Sequence, residues 1–110
     1  MSDRLLTYLG FARKMGKLFA GMGLEKKLEE KKIALLLFFP TISEKNREKL
    51  LRRDEKVTTR DVGEIDFAKL GLKPCKALGI QDMALAKAIA KTLDEEKEVA
   101  DERQEKQERP

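Results

Sequence analysis

A chain of 110 residues, 41% hydrophobic and 40% charged, has room for one small domain with a modest core and a thoroughly solvated exterior. It holds no histidine and one cysteine, Cys75, which excludes Ser/His and Cys/His nucleophile pairs, an intrachain disulfide and an ordinary zinc site. The net charge of +4 is unevenly spread: residues 94–110 hold eight acids and four bases, leaving +8 on residues 1–93, and an excess of that kind points to a polyanionic partner.

Ser2 is a fair N-cap for a first helix over about 3–15, in which Leu5, Leu6, Leu9 and Ala12 recur at helical spacing and Gly16 supplies the stop. Leu18-Phe19-Ala20 is too short for a helix and reads as a short strand. A second helix is predicted from about Met22 to Glu30, with Leu24 and Leu28 inward and with Lys27 and Lys31 on one face with Gly23. The unbroken apolar run from Ile33 to Phe39 fits a central strand covered on both faces, and Pro40 ends it. Ser43 caps a third helix over about 43–53. Lys56 to Arg60 reads as a short polar edge strand, since Val57 is its one aliphatic residue. Asp66 caps a brief helix ending at Gly71, and Cys75 to Ile80 forms a further strand. Asp82 caps the last helix, whose inner face includes Leu85, Ala86, Ile89 and Leu93. Strict alternation of helix and strand argues for an α/β sandwich with a mostly parallel or mixed sheet. The domain is expected to end near residue 93. Residues 94–110 then form a charged helical extension, with Glu102–Lys106 and Glu105–Arg109 as i,i+4 pairs, or a disordered tail.

No segment reaches the roughly 18 apolar residues of a membrane span. The opening MSDRLL is not followed by a hydrophobic stretch, so no secretory leader is expected, and the chain reads as cytoplasmic with no membrane partner.

The most informative stretch runs from Phe11 to Lys32. Arg13, Lys14 and Lys17 come first, then Gly21-Met22-Gly23, then Lys26, Lys27, Lys31 and Lys32. A tight glycine turn opening a helix leaves backbone N–H groups free, and that end of a helix attracts anions. Such a combination suits a polyphosphate better than a catalytic step. Two nucleotide motifs fail. Lys26 stands where a dinucleotide fingerprint needs its third glycine. Gly10 and Gly16-Lys17 are spaced one residue too widely for a phosphate loop, with Leu18 where Ser or Thr would bind magnesium. No pair of acids stands out as an acid–base couple, and Cys75 reads most plainly as a small apolar residue at a strand start. The chain is therefore expected not to be an enzyme, with no catalytic residue, metal ligand or cofactor.

Several runs occur in a familiar order: Leu9-Gly10-Phe11-Ala12-Arg13-Lys14-Met15-Gly16-Lys17-Leu18, Gly21 with Lys27, Ser43-Glu44-Lys45-Asn46, and the closing ALAKAIAKTL of Ala84 to Leu93. Over about residues 4–93 the chain resembles the bacterial YlxQ-type branch of the ribosomal-protein L-seven-Ae/L-thirty-e family, whose better-known members bind kink-turn RNA. The resemblance implies a three-layer α-β-α sandwich of that family's L-thirty-e-like kind with a four-stranded mixed sheet, and RNA binding without catalysis. In the family the turn and start of the second helix enter the RNA at a sharp bend, while a loop before the last strand covers an extruded base. Here that implies Gly21 and Lys27 on one side and Lys73, Pro74 and Lys76 on the other. Gly23, Lys31, Arg13, Lys14 and Lys17 complete the candidate surface, and Lys49 on the third helix is expected to lie outside it. Kink-turn binders carry Asn-Glu after the glycine turn, where this chain has Gly23 and Leu24. Base edges supply discrimination and phosphates mainly affinity, so general RNA affinity is kept while kink-turn selectivity is weakened. The implied partner is structured RNA, kink-turn-like or ribosomal, with association to the ribosome or a translation factor. The alternative is a protein-interaction scaffold that kept the fold and lost specific RNA recognition.

Overall fold

In a computed structural model the backbone is described over residues 3–108 and the side chains over residues 3–96. Ser2 and the side chains of the two tail pairs lie outside those limits. The order is α1 (Asp3–Lys14), β1 (Leu18–Phe19), α2 (Gly21–Glu29), β2 (Leu35–Phe38), α3 (Glu44–Arg53), β3 (Thr59–Asp61), a short 3-10 helix (Phe67–Leu70), β4 (Ala77–Ile80) and α4 (Met83–Glu108).

The four strands form one mixed sheet in the order β1-β4-β2-β3. β4 runs antiparallel to both β1 and β2, and β2 runs parallel to β3. Because side chains alternate along a strand, each central strand feeds two cores. Leu35, Leu37, Leu78 and Ile80 point to one face, where they meet Leu5 and Leu9 of α1 and Ala86 and Ile89 of α4. Leu36, Phe38 and Ala77 point to the other, against Leu24 and Leu28 of α2 and Leu50 of α3. The result is a three-layer α-β-α sandwich. Full burial of each leucine contributes about 1.5–3 kcal/mol relative to exposure, so these two cores carry most of the stability.

Local signals behave as their chemistry dictates. Gly16 adopts φ 69° and Gly71 φ 68°, the left-handed geometry that ends α1 and the 3-10 helix. Ser43 Oγ accepts from Asn46 N at 3.2 Å, Asp66 Oδ1 from Ala68 N at 3.1 Å and Asp82 Oδ2 from Leu85 N at 2.8 Å. The polar edge strand begins later than its sequence indicates. Asp54, buried at the end of α3, accepts from Lys56 N through its side chain at 3.1 Å and from Val57 N through its carbonyl at 3.4 Å. Residues 55–57 are thereby held in a turn, and pairing with β2 starts at Thr59. On β3, Asp61 holds Arg47 by two hydrogen bonds of 2.7 and 3.2 Å, and the same guanidinium lies 4.4 Å from the ring centre of Phe38. That hydrogen bonding raises the Arg47 pKa further above its usual value.

Candidate nucleic-acid interface

The start of α2 is built by one dihedral angle. Ala20 is extended at φ −142°, and Gly21 at φ 60° swings the chain into the helix. A left-handed residue costs about 1–2 kcal/mol with a Cβ and little for glycine, which explains why glycine stands there. No side chain caps this end, and Ala20, Gly21, Met22 and Gly23 are all exposed. Met22 is 85% exposed, an unusual position for a large apolar side chain.

Strand pairing brings a distant segment to this helix start. Phe19 lies opposite Gly79, so the residues leading into β4 arrive beside the residues leaving β1. Phe39 N donates to Lys76 O at 3.0 Å, which draws in the β2–α3 loop as well. The outcome is a groove of about 620 Å³ between Gly21 and Met22, the Pro74–Lys76 loop, Ile42 of the β2–α3 loop, and Asn46 and Lys49 of α3. Leu24, Leu50 and Ala77 give it an apolar floor. Glu25 also lines it, but its carboxylate is taken by Lys49 at 3.3 Å and Arg53 at 3.2 Å. Lys73 and Lys76 make no ion pair among the described residues. An apolar floor with a basic rim and an uncapped helix start can take an apolar planar group inside and phosphates outside.

Of the sequence-predicted residues, Gly21, Pro74 and Lys76 line the groove, with Gly23 and Lys73 beside lining residues. Gly23 and Lys27 do share a face: a Cβ on Gly23 would stand 4.0 Å from the Phe19 ring, and Lys27 Nζ lies 5.2 Å from that ring's centre. Lys27 is half-buried, 3.9 Å from Glu30. Arg13 packs on Gly71 and donates to its carbonyl at 3.5 Å, so it props the start of the second loop. Lys14 and Lys17 sit at the far end of β1, where Lys17 O accepts from Gln81 N at 2.9 Å.

Two placements correct the sequence reading. Lys31 does not continue the α2 face. The helix ends at Glu29, and Lys31 is the left-handed residue that closes it, with φ 61° and its N–H on Leu28 O at 3.0 Å. Its ammonium stands 3.4 Å from Asp54 Oδ1, at the opposite end of the helix, about 13 Å from the glycine turn by helical rise. Lys49, expected outside the site, lines the groove. The sequence reading also missed Met22, Ile42 and Asn46 as lining residues. Asn46 carried a weak signal, because asparagine is a poor helix former placed three residues after the cap.

Burial raises the Cys75 thiol pKa, and its S–H donates to Lys73 O at 3.1 Å. Among the described residues no group of three His, Cys, Asp or Glu is placed to hold a metal ion. No helix is long and apolar enough to cross a membrane, again among the described residues.

The chain matches no family model and no curated protein. Its fold is shared with solved structures. One, described as a protein with unknown function from Bacillus halodurans C, superposes over 84% of this chain and 99% of its own, with a TM-score of 0.74 and 18% identity. At that identity the likeness establishes the three-layer architecture.

Proposed function

We propose that this chain is a non-catalytic, cytoplasmic RNA-binding protein of the YlxQ-type branch, holding structured RNA in the groove between the start of α2 and the Pro74–Lys76 loop. One observation carries the reading. Two segments far apart in sequence, each singled out for RNA contact, line one open groove, with exposed Gly21 on one wall and, on the other, Lys76, which makes no ion pair among the described residues. Gly21 and Gly23 let a ribose-phosphate chain approach the backbone, which larger side chains would block. Lys73 and Lys76 supply charge from the opposite wall.

Leu24 qualifies the specificity. It is buried at 2% exposure, so its position cannot read a base edge. Lost base contacts are worth about 1–3 kcal/mol of discrimination each, so selectivity for a sharply bent RNA is reduced while affinity for structured RNA remains.

The test is fluorescence anisotropy with a labelled internal-loop RNA and a straight duplex of equal length. Binding to both, with a preference for the bent RNA below about a hundredfold, is the expected result. Folded protein that binds neither RNA, and that fails to shift total cellular RNA on a gel, refutes the reading.

A further inference from the structure

We propose that Lys49 is a phosphate contact of the groove held in reserve by Glu25, and that the Glu25 carboxylate turns on to Arg53 when a phosphate takes the ammonium. The inference rests on the RNA reading and adds to it one contact and the acid that controls that contact.

Glu25 is the one acid among the described residues that line the groove. A phosphate on that wall meets its negative charge at close range, and like charges set together oppose binding. A phosphate contact on this wall therefore needs a partner that keeps the carboxylate neutralised after Lys49 has left it.

Two rows of charge face each other across α2 and α3. Glu25 and Glu29 are four apart on α2, and Lys49 and Arg53 are four apart on α3, so each pair lies on one stripe. Arg53 holds both acids: its Nη2 stands 3.2 Å from Glu25 Oε1, and its Nη1 meets Glu29. Among the described residues Lys49 holds only Glu25, through the same Oε1, at 3.3 Å. The Lys49 side chain is 60% exposed and that of Arg53 27%. Lys49 is thus the member free to move, and an ion pair made by so exposed a lysine contributes little.

Arg53 also has an unused donor. Its Nε is, among the described residues, the one buried side-chain nitrogen or oxygen without a hydrogen-bond partner. The Nε–H and one Nη2–H project side by side, a fork that fits both oxygens of a carboxylate. The molecule makes that pairing elsewhere: Arg60 donates through Nε at 2.9 Å and through Nη2 at 3.2 Å to the two oxygens of Asp94. Once Lys49 leaves, a rotation of the Glu25 carboxylate completes the same fork on Arg53. The lost exposed ion pair is offset by a hydrogen bond to a buried donor, and such a donor is costly to leave unpaired. Lys49 then has three N–H donors to offer a phosphate from the groove wall.

The experiment is a double-mutant cycle on the full chain, with the labelled internal-loop RNA read by anisotropy and folding read by thermal melting. Glu25→Gln is expected to bind RNA about three- to tenfold more tightly while melting at a lower temperature, because it frees Lys49 and loosens the clamp between α2 and α3. Lys49→Ala should weaken binding several-fold and lower the salt slope by about 1. In the Lys49→Ala background, Glu25→Gln should gain less than about twofold. Tighter binding with lower stability separates this exchange from an ion pair that only supports the fold. Three outcomes overturn the proposal and leave the RNA reading intact: Glu25→Gln binding no more tightly than the wild type; an equal gain from Glu25→Gln with and without Lys49, which makes Glu25 a plain repulsive charge; or an unchanged salt slope in Lys49→Ala, which decides the matter even should Glu25→Gln fail to fold. Folded wild type and variants that all fail to bind RNA overturn the RNA reading and this proposal with it.

Discussion

Leu24 and Gly79 fit together as side chain and gap. A Cβ on Gly79 would fall inside the space taken by Leu24 Cδ1, and it would stand 3.0 Å from Ile33 Cδ1. The helix that opens the groove is therefore seated on the strand that leads out of the opposite wall, and a side chain at Gly79 would force Leu24 Cδ1 to move. Gly79→Ala is expected to overpack this point and destabilise the fold by about 1–3 kcal/mol, measured by urea unfolding. Leu24→Ala should cost about 2–5 kcal/mol from the cavity side of the same contact. A neutral Gly79→Ala would mean that the Leu24 and Ile33 side chains give way without cost, and this contact would then not fix the position of α2.

Salt dependence separates phosphate contact from other binding. Four to six contacted phosphates predict a slope of log affinity against log salt of roughly −3 to −5. The measurement is a titration of one labelled RNA from low to moderate salt. A flat response would remove the electrostatic basis for the interface, whatever the affinity at one salt concentration.

Individual lysines should sort by position. Lys76→Ala removes from the groove rim a charge that makes no ion pair among the described residues, and should weaken RNA binding several-fold, lowering the salt slope by about 1. Lys27→Ala should act in the same direction with a nearly unchanged melting temperature. Lys31→Ala should change RNA affinity by less than about twofold, because its ammonium faces Asp54 at the other end of α2. Lys91, exposed on α4, serves as the remote control, since Lys49 lines the groove. An equal loss in Lys91→Ala would show only diffuse charge at work.

Much of the fold was legible because its determinants are local. The apolar run before Pro40, the caps Ser43, Asp66 and Asp82, and the glycine stops at Gly16 and Gly71 each act within a few residues of themselves. The first half of the polar strand, from Lys56, is not legible because Asp54 is a tertiary device: its burial at the end of α3 turns residues 55–57 before pairing begins at Thr59. Lys31 was misread for a similar reason. Helical spacing carries the α2 face on to Lys31, past a helix that ends at Glu29, but the chain has to reverse toward β2, and a lysine takes the left-handed position that glycine or asparagine usually fills. The two groove walls were visible separately. Their meeting depended on the Phe19–Gly79 pairing of a two-residue strand, and no periodicity encodes that. Ile42 and Lys49 join the groove through another long-range contact, the hydrogen bond from Phe39 N to Lys76 O.

Cys75 offers a direct reading of groove occupancy, since it lines the groove and no other cysteine competes for a label. Burial holds its thiol pKa above the ordinary range, and only the thiolate reacts. At pH 7.5–8, about the usual labelling range, iodoacetamide should therefore modify it more slowly than a free peptide thiol, with the rate climbing about tenfold per pH unit until its pKa is passed. The sign for stability follows from the same shift. The unfolded chain gives up this proton first as pH rises, so the contribution is whole below the free-thiol range and is lost as pH climbs through the folded value. Bound RNA should slow alkylation further, by at least about fivefold at saturation, because it covers the groove and its phosphates disfavour the thiolate. Mass spectrometry of quenched time points gives the rate, and anisotropy of the same samples confirms saturation. An unchanged rate on fully bound protein would place the RNA elsewhere on the molecule.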